Sequence, residues 1–207
     1  GREAGVSPSK IQEWISELAR RGVRALPCTA AAYPARLRAL SDPPPLLLVR
    51  GQIGALAASG VALVGARAAS GYGRRMATEL AAALAQAGLV VVSGLARGVD
   101  AAAHRGALAG GGRTLAVMGS GPDRIYPPEH VELAGQVADS GAVVSELPPG
   151  RPPAAPHFPL RNRLISGLVE AVVVVEARPR SGSLITARHA LDQGREVLVV
   201  PGRIDSV

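Results

Sequence analysis

The sequence predicts an α/β protein: a doubly wound, mostly parallel sheet with helices on both faces, preceded by a short N-terminal helical segment. Two observations carry this. From Leu46 onward, short apolar runs alternate with helical patterns, and repeated strand–helix–strand units build a parallel sheet covered on both sides. The runs are also continuously apolar rather than alternating, as strands buried on both faces are.

Taken in order, Ser7-Pro8 reads as an N-cap followed by proline at the first helical position. Ile11, Trp14, Ile15 and Leu18 then recur at three- and four-residue spacing, giving a helix with one apolar face to about Arg21. Ala32 to Leu40 suggests a second short helix, ended by Ser41-Asp42-Pro43-Pro44-Pro45. Residues 1–45 are therefore expected to be a partial small helical domain, docked on the main one or extending it. Residues 46–207 are expected to be the main α/β domain. Its candidate strands are Leu46–Val49, Val61–Val64, Leu89–Val92, Thr114–Met118, Ala142–Val144, Ala171–Val175 and Val197–Val200. Candidate helices lie at Ser70–Ala87, Asp100–Ala109, Pro128–Ala138, Arg161–Leu168 and Ser183–Gln193. The six prolines of Pro148–Pro159 mark a stiff, extended loop.

A chain of 207 residues with 47% apolar content fits one principal domain with a sizeable core. The formal net charge is +7, and Lys10 is the only lysine, so the positive charge is almost all arginine. A basic excess favours a polyanionic partner, nucleic acid before membrane. Aromatics make up only 2% of residues, so arginines and backbone amides would have to do most of the holding of a single strand. The lone Cys28 rules out an internal disulfide and suits a reducing compartment. No apolar run approaches a membrane span and no signal-peptide pattern opens the chain. A cytoplasmic location and no membrane partner are expected.

In doubly wound sheets ligands collect at the carboxyl ends of the strands. Those positions here carry Gly65-Ala66-Arg67-Ala68-Ala69-Ser70, Ser93-Gly94-Leu95-Ala96-Arg97, Gly119-Ser120-Gly121, Ser145-Glu146 and Glu176 to Ser183. The first of these turns leads into a helix and reads as an anion site, with Arg67 adding a planar cation. Arg67, Arg97, Arg161, Arg163 and Arg180 could face one cleft. Phe158, beside the Arg161/Arg163 pair, is the aromatic best placed to meet a base. A dinucleotide site is disfavoured, because Arg67 stands where the second fingerprint glycine belongs and the next strand ends without an acid. No Gly-Lys-Ser/Thr P-loop string occurs. Asp100 and His104 sit one helical turn apart, as an acid/base or metal pair would. The plainer reading has Asp100 capping its helix and His104 packing locally. Glu146 and Glu176 read as ends of adjacent strands, paired with rim arginines or with each other.

Several strings resemble the DNA-processing protein A (DprA/Smf) family. They are Val64 to Ser70, Ser93 to His104, Gly119 to Pro127, Phe158-Pro159-Leu160-Arg161-Asn162-Arg163, and Arg180-Ser181-Gly182-Ser183-Leu184-Ile185-Thr186-Ala187, in the family's order. The resemblance implies an extended Rossmann-like DNA-binding domain over residues 46–207, and a non-enzymatic protein of natural transformation and recombination that binds and protects incoming single-stranded DNA. It also implies self-association, as a homodimer, and help in loading the RecA recombinase, with no cofactor. It puts the family's key basic residue on Arg67 and its Arg-Asn-Arg string on Arg161, Asn162 and Arg163. With the spacing above, the expected ligand-holding set is Gly65, Arg67, Ser70, Arg97, Phe158, Arg161, Asn162, Arg163, Ser181, Gly182 and Ser183. The family often has a helical domain before the core and a winged-helix-like one after it, so the first is expected to be partial here and the C-terminal end truncated.

Two other functions fit the same fold class. A nucleoside-monophosphate phosphoribohydrolase of the lysine-decarboxylase-like group would bind phosphate at these turns. It would need a catalytic acid near the start of the last helix, where this chain has Arg188. A protein-interaction module would use the basic rim to dock acidic partners.

Overall fold

The computed structural model describes residues 7–202. The expected C-terminal truncation concerns the chain from residue 203 on, outside the described residues. Eight strands form one sheet in the order β1-β2-β6-β5-β4-β3-β7-β8. They are β1 (Val23–Pro27), β2 (Leu46–Gly51), β3 (Gly60–Gly65), β4 (Val90–Ser93), β5 (Thr114–Val117), β6 (Ala142–Ser145), β7 (Ala171–Glu176) and β8 (Glu196–Val199). From β6 to β8 every neighbouring pair is parallel, while β1–β2 and β2–β6 are antiparallel.

The helices are α1 (Pro8–Arg20), α2 (Ala35–Arg38), α3 (Gly71–Gln86), α4 (Val99–Ala109), α5 (Val131–Ser140), α6 (His157–Gly167) and α7 (Gly182–Asp192). α3, α4 and α5 pack side by side, while α6 packs on α7 and α2. Ala77, Ala81 and Ala85 give α3 a stripe of small residues. Gly106 of α4 and Gly110, its C-cap, meet the α3 backbone at Thr78 and Ala82, where added side chains would collide. The abundance of alanine thus has a packing use: it lets these two helices approach closely.

Two sequence expectations need correction. Residues 7–45 are not only helical. β1 lies between α1 and α2 and joins the main sheet, and Leu26, Tyr33 and Leu37 belong to the main hydrophobic core. The Tyr33 hydroxyl donates to Pro44 O at 2.7 Å. β1 ends in Pro27, tolerable because it is an edge strand. Second, α6 begins at His157, inside the stretch read as a proline loop. Pro156 is its N-cap and Pro159 falls in its first turn, where the backbone N–H has no intrahelical acceptor to lose.

This order reverses direction at β3. The chain runs β3-β4-β5-β6 outward, then α6 carries it back to place β7 beside β3. The crevice for a ligand is expected at that switch point, above the carboxyl ends of β3 and β7.

Candidate nucleic-acid interface

A cleft of about 690 Å³ opens at the switch point. Its walls come from the turn after β3 (Gly65, Ala66, Arg67), the start of α6 (Phe158, Arg161, Asn162), the start of α7 (Ser181, Gly182, Ser183, Thr186), Tyr126 and the segment Pro153–Ala155. A smaller recess adjoins it, lined by Arg67, Arg97, Arg161, Tyr126 and Phe158. The Pro148–Ala155 wall is anchored by Asp123, which accepts the Gly150 N–H at 2.8 Å and pairs with Arg21 at the end of α1 at 3.0 Å.

The predicted arginines divide sharply by environment. Arg67 is exposed and makes no ion pair among the described residues; its guanidinium lies 5.3 Å from the Phe158 ring centroid. Phe158 in turn sits 5.7 Å from the Tyr126 ring. Arg67, Phe158 and Tyr126 thus form a continuous cation–aromatic ledge along the cleft. Arg97 reaches the recess but pairs with Glu129. Arg163 does not line the cleft. It is bound by Asp42 at 2.7 Å and Glu146 at 2.9 Å, and these carboxylates outweigh burial in holding its pKa above the ordinary value. Arg180 is absent from the cleft wall too, although its φ of 62° marks a strained backbone just before α7.

Arg161 is structural. It is 7% exposed and donates to the carbonyl oxygens of Gly94 and Val117, tying the ends of β4 and β5 to α6. Burial lowers its pKa to about 10, opposed by Asp100. Asp100 is likewise buried, and desolvation raises its pKa against the pull of Arg161. Gly94 lies between the two, where a Cβ would collide with both. Asp100 does not cap α4: the N-cap is Gly98, at φ 73°, and Asp100 Oδ2 instead accepts the N–H groups of Gly94 and Ala96 at 3.1 and 3.3 Å. Gly98 is needed because its positive φ lets the chain turn against Ala66 and Arg67.

His104 packs locally, as the plainer sequence reading had it. Thr114 Oγ1 gives its single proton to Val91 O at 2.8 Å, so His104 Nδ1 must donate to Thr114 Oγ1 at 2.7 Å. Nε2 is left buried with no partner, and burial drives the imidazole pKa down to about 3. A ring sealed this way cannot act with Asp100 as a proton-transfer pair.

The two helix N-termini at the cleft differ. At α3, Ser70 Oγ caps Gly73 N at 3.0 Å and donates to Glu176 at 2.6 Å, and the Ser70 N–H also points at that carboxylate. Ser70 is therefore engaged internally and does not line the cleft, contrary to the sequence expectation. At α7 the N-cap Ser181 makes no capping bond; its hydroxyl meets Ser183 Oγ at 2.8 Å, while Asn162 Nδ2 donates to Gly182 O at 3.1 Å. Ser181, Gly182 and Ser183 line the cleft, and a helix N-terminus without a side-chain cap suits an anion. The expectation that Glu146 and Glu176 end adjacent strands is also corrected. β5, β4 and β3 separate β6 from β7, and Glu146 pairs with Arg163 while Glu176 binds the α3 N-terminus.

Of the predicted set, Gly65, Arg67, Phe158, Arg161, Asn162, Ser181, Gly182 and Ser183 line the main cleft, Arg97 lines the recess, and Ser70 and Arg163 line neither. Tyr126 was missed, although its place in the Gly119–Pro127 string and the scarcity of aromatics both pointed to it.

Fold and cleft together define a class: a Rossmann-like protein whose switch-point cleft is lined by an exposed arginine, an aromatic ledge and a helix N-terminus without a side-chain cap. Comparison with known proteins gives the family. The model of DNA recombination-mediator protein A matches residues 24–207, and the chain belongs to that family. It is 48% identical over 180 residues to Protein Smf of Escherichia coli, covering 86% of this chain and 48% of that protein. It is 39% identical over 196 residues to DprA of Bacillus subtilis, covering 94% of this chain and 66% of that one. The chain thus spans about half to two-thirds of the length of these curated relatives. Among solved structures, DprA of Streptococcus pneumoniae superposes with a TM-score of 0.88 at 38% identity, over 97% of this chain and 69% of that one. DprA of Helicobacter pylori, described for its single-stranded DNA binding mode, gives 0.81 at 31%, over 89% and 83%. A molybdenum cofactor binding protein of Rippkaea orientalis, at 0.54 and 18% identity over 71% of this chain and 78% of that one, shares the fold alone.

Proposed function

We propose that this chain is the strand-holding core of a non-enzymatic single-stranded DNA-binding protein that mediates recombination during natural transformation. The observation that carries this is the exposed Arg67, which makes no ion pair among the described residues, lies over the Phe158 ring and lines the same cleft as the N-terminus of α7, which lacks a side-chain cap. Such a site grips phosphate by charge and backbone N–H groups and a base by its face, so it tolerates any sequence. Family membership supports the reading, as does the Helicobacter pylori relative described for single-stranded DNA binding.

In this reading the protein works in the cytoplasm, consistent with a single free cysteine and with no described helix long and apolar enough to cross a membrane. It protects the strand and presents it to RecA. It acts as a homodimer through the β8 edge, where Leu191 of α7 and Leu198 and Val199 of β8 are 65%, 55% and 69% exposed. Unpaired edge strands with apolar neighbours favour symmetric pairing.

The test is salt-dependent fluorescence anisotropy with oligo-dT, a matched duplex and an RNA strand, for wild type and Arg67→Ala. Wild type is expected to bind the single strand most tightly and to weaken linearly in log salt. Arg67→Ala should bind every sequence more weakly, with a slope shallower by about 0.7. Normal affinity in the variant would refute the site. Release of free base from nucleoside monophosphates, without strand binding, would favour the phosphoribohydrolase.

A further inference from the structure

Glu176 ends β7, the strand paired with β3 at the switch point. It grips both ends of the turn that carries Arg67. Its carbonyl oxygen accepts the Ala66 N–H at 2.7 Å. Its carboxylate accepts the Ser70 N–H at 3.1 Å on either oxygen and the Ser70 hydroxyl at 2.6 Å. Gly73, one turn into α3, lies against the same carboxylate, and any side chain there would collide with it. Glu176 has no ion-pair partner among the described residues, unlike Glu146, Glu129 and Glu170; its partners are backbone N–H and hydroxyl groups.

In a doubly wound sheet the N-terminus of the helix that follows the switch-point strand, here α3 after β3, is where a ligand's phosphate would settle. Here the negative charge is supplied by the chain itself. We propose that Glu176 is the positioning residue for Arg67: it fills the α3 N-terminus, fixes the 66–70 turn so that the guanidinium stands over Phe158, and bars a free nucleotide phosphate from that end of the cleft. The binding readout rests on the single-stranded DNA reading above; the clamp itself does not.

Charge and positioning predict opposite signs. An acid beside a polyanion site repels the ligand, so if Glu176 acted through its charge alone, removing it would tighten binding. If it holds the turn, removing it frees Arg67 and weakens binding. Glu176→Gln keeps an acceptor for the Ser70 N–H and a polar group beside the Ser70 hydroxyl; Glu176→Ala keeps neither.

The experiment compares wild type, Glu176→Gln, Glu176→Ala, Arg67→Ala and the Arg67→Ala/Glu176→Ala double variant by oligo-dT anisotropy at one salt concentration. Hydrogen exchange of the amides of residues 66–73 is followed without DNA. Glu176→Ala is expected to bind about tenfold more weakly, and Glu176→Gln to stay within about threefold of wild type. The double variant should be no weaker than Arg67→Ala, since both losses pass through one guanidinium. Amides 66–70 should exchange faster in Glu176→Ala, with the rest of the sheet unchanged. Tighter binding by Glu176→Ala, an additive loss in the double variant, or unchanged exchange at 66–70 would overturn the proposal. If wild type fails to bind oligo-dT, the functional reading falls while the exchange comparison still decides the clamp. If Glu176→Ala does not fold, Ser70→Ala removes the hydroxyl partner instead, and unchanged exchange at 66–70 in that variant overturns the clamp equally.

Discussion

Arg161 and Arg67 both line the cleft, yet they should respond to substitution in opposite ways. Replacing Arg161 by Met keeps most of the side-chain stem and removes the guanidinium that bridges Gly94 O at 3.1 Å, Val117 O and Asn162 Oδ1 at 3.2 Å. It also leaves Asp100 buried without its cation. Each buried acceptor stripped of its donor costs about 1–3 kcal/mol, so losing the bonds to several acceptors at once costs about 3–5 kcal/mol. For a domain of this size each kcal/mol lowers Tm by roughly 2–4 °C, so Arg161→Met should melt about 6–20 °C below wild type. Arg67→Ala, at an exposed side chain with no ion pair among the described residues, should shift stability by no more than about 0.5 kcal/mol. Adding Asp100→Asn to Arg161→Met removes the stranded charge and should recover part of the loss. Thermal denaturation at pH 7.5 measures all four proteins, with oligo-dT anisotropy recorded well below every Tm. If Arg161→Met melts within about 2 °C of wild type and loses strand binding as Arg67→Ala does, the assignment of Arg161 to the scaffold is wrong. It would then be a ligand contact, as the sequence suggested.

The same geometry gives two further outcomes. Phe158→Ala should weaken oligo-dT binding by about 1–3 kcal/mol, the worth of one stacked base, and Tyr126→Ala should weaken it by less. Neither should change the salt slope much, because neither ring touches phosphate; a changed slope at unchanged affinity would contradict the stacking role. His104 predicts acid sensitivity. Burial holds its pKa at about 3 against an ordinary 6.5, so between those values the unfolded chain takes up a proton that the folded chain refuses. Stability should therefore fall as pH drops from about 6.5, by up to roughly 1.4 kcal/mol per unit. His104→Gln should flatten that slope between about pH 6 and pH 5, above the range where carboxylates dominate. Parallel denaturation profiles for the two proteins would rule it out.

The sequence by itself determined what depends on local pattern. Apolar runs and helical spacing placed every strand of the parallel sheet and every helix after it to within a few residues, because strand burial and helix amphipathicity are written in neighbouring positions. They also placed Gly65, Arg67, Phe158 and Ser181–Ser183 at the carboxyl ends of strands, and hence on one rim. β1 escaped notice because a five-residue edge strand ending in proline carries little periodic signal. Only the tertiary structure decided which rim groups remain available. Arg163 is claimed by Asp42, 121 positions away, and Ser70 by Glu176, 106 positions away. The strand order sets β7 beside β3 rather than beside β6, and that placement carries a carboxylate onto the first helix N-terminus and leaves the last one open. Pairing between charges so far apart in the chain depends on where the sheet puts strand ends, and no local pattern encodes it.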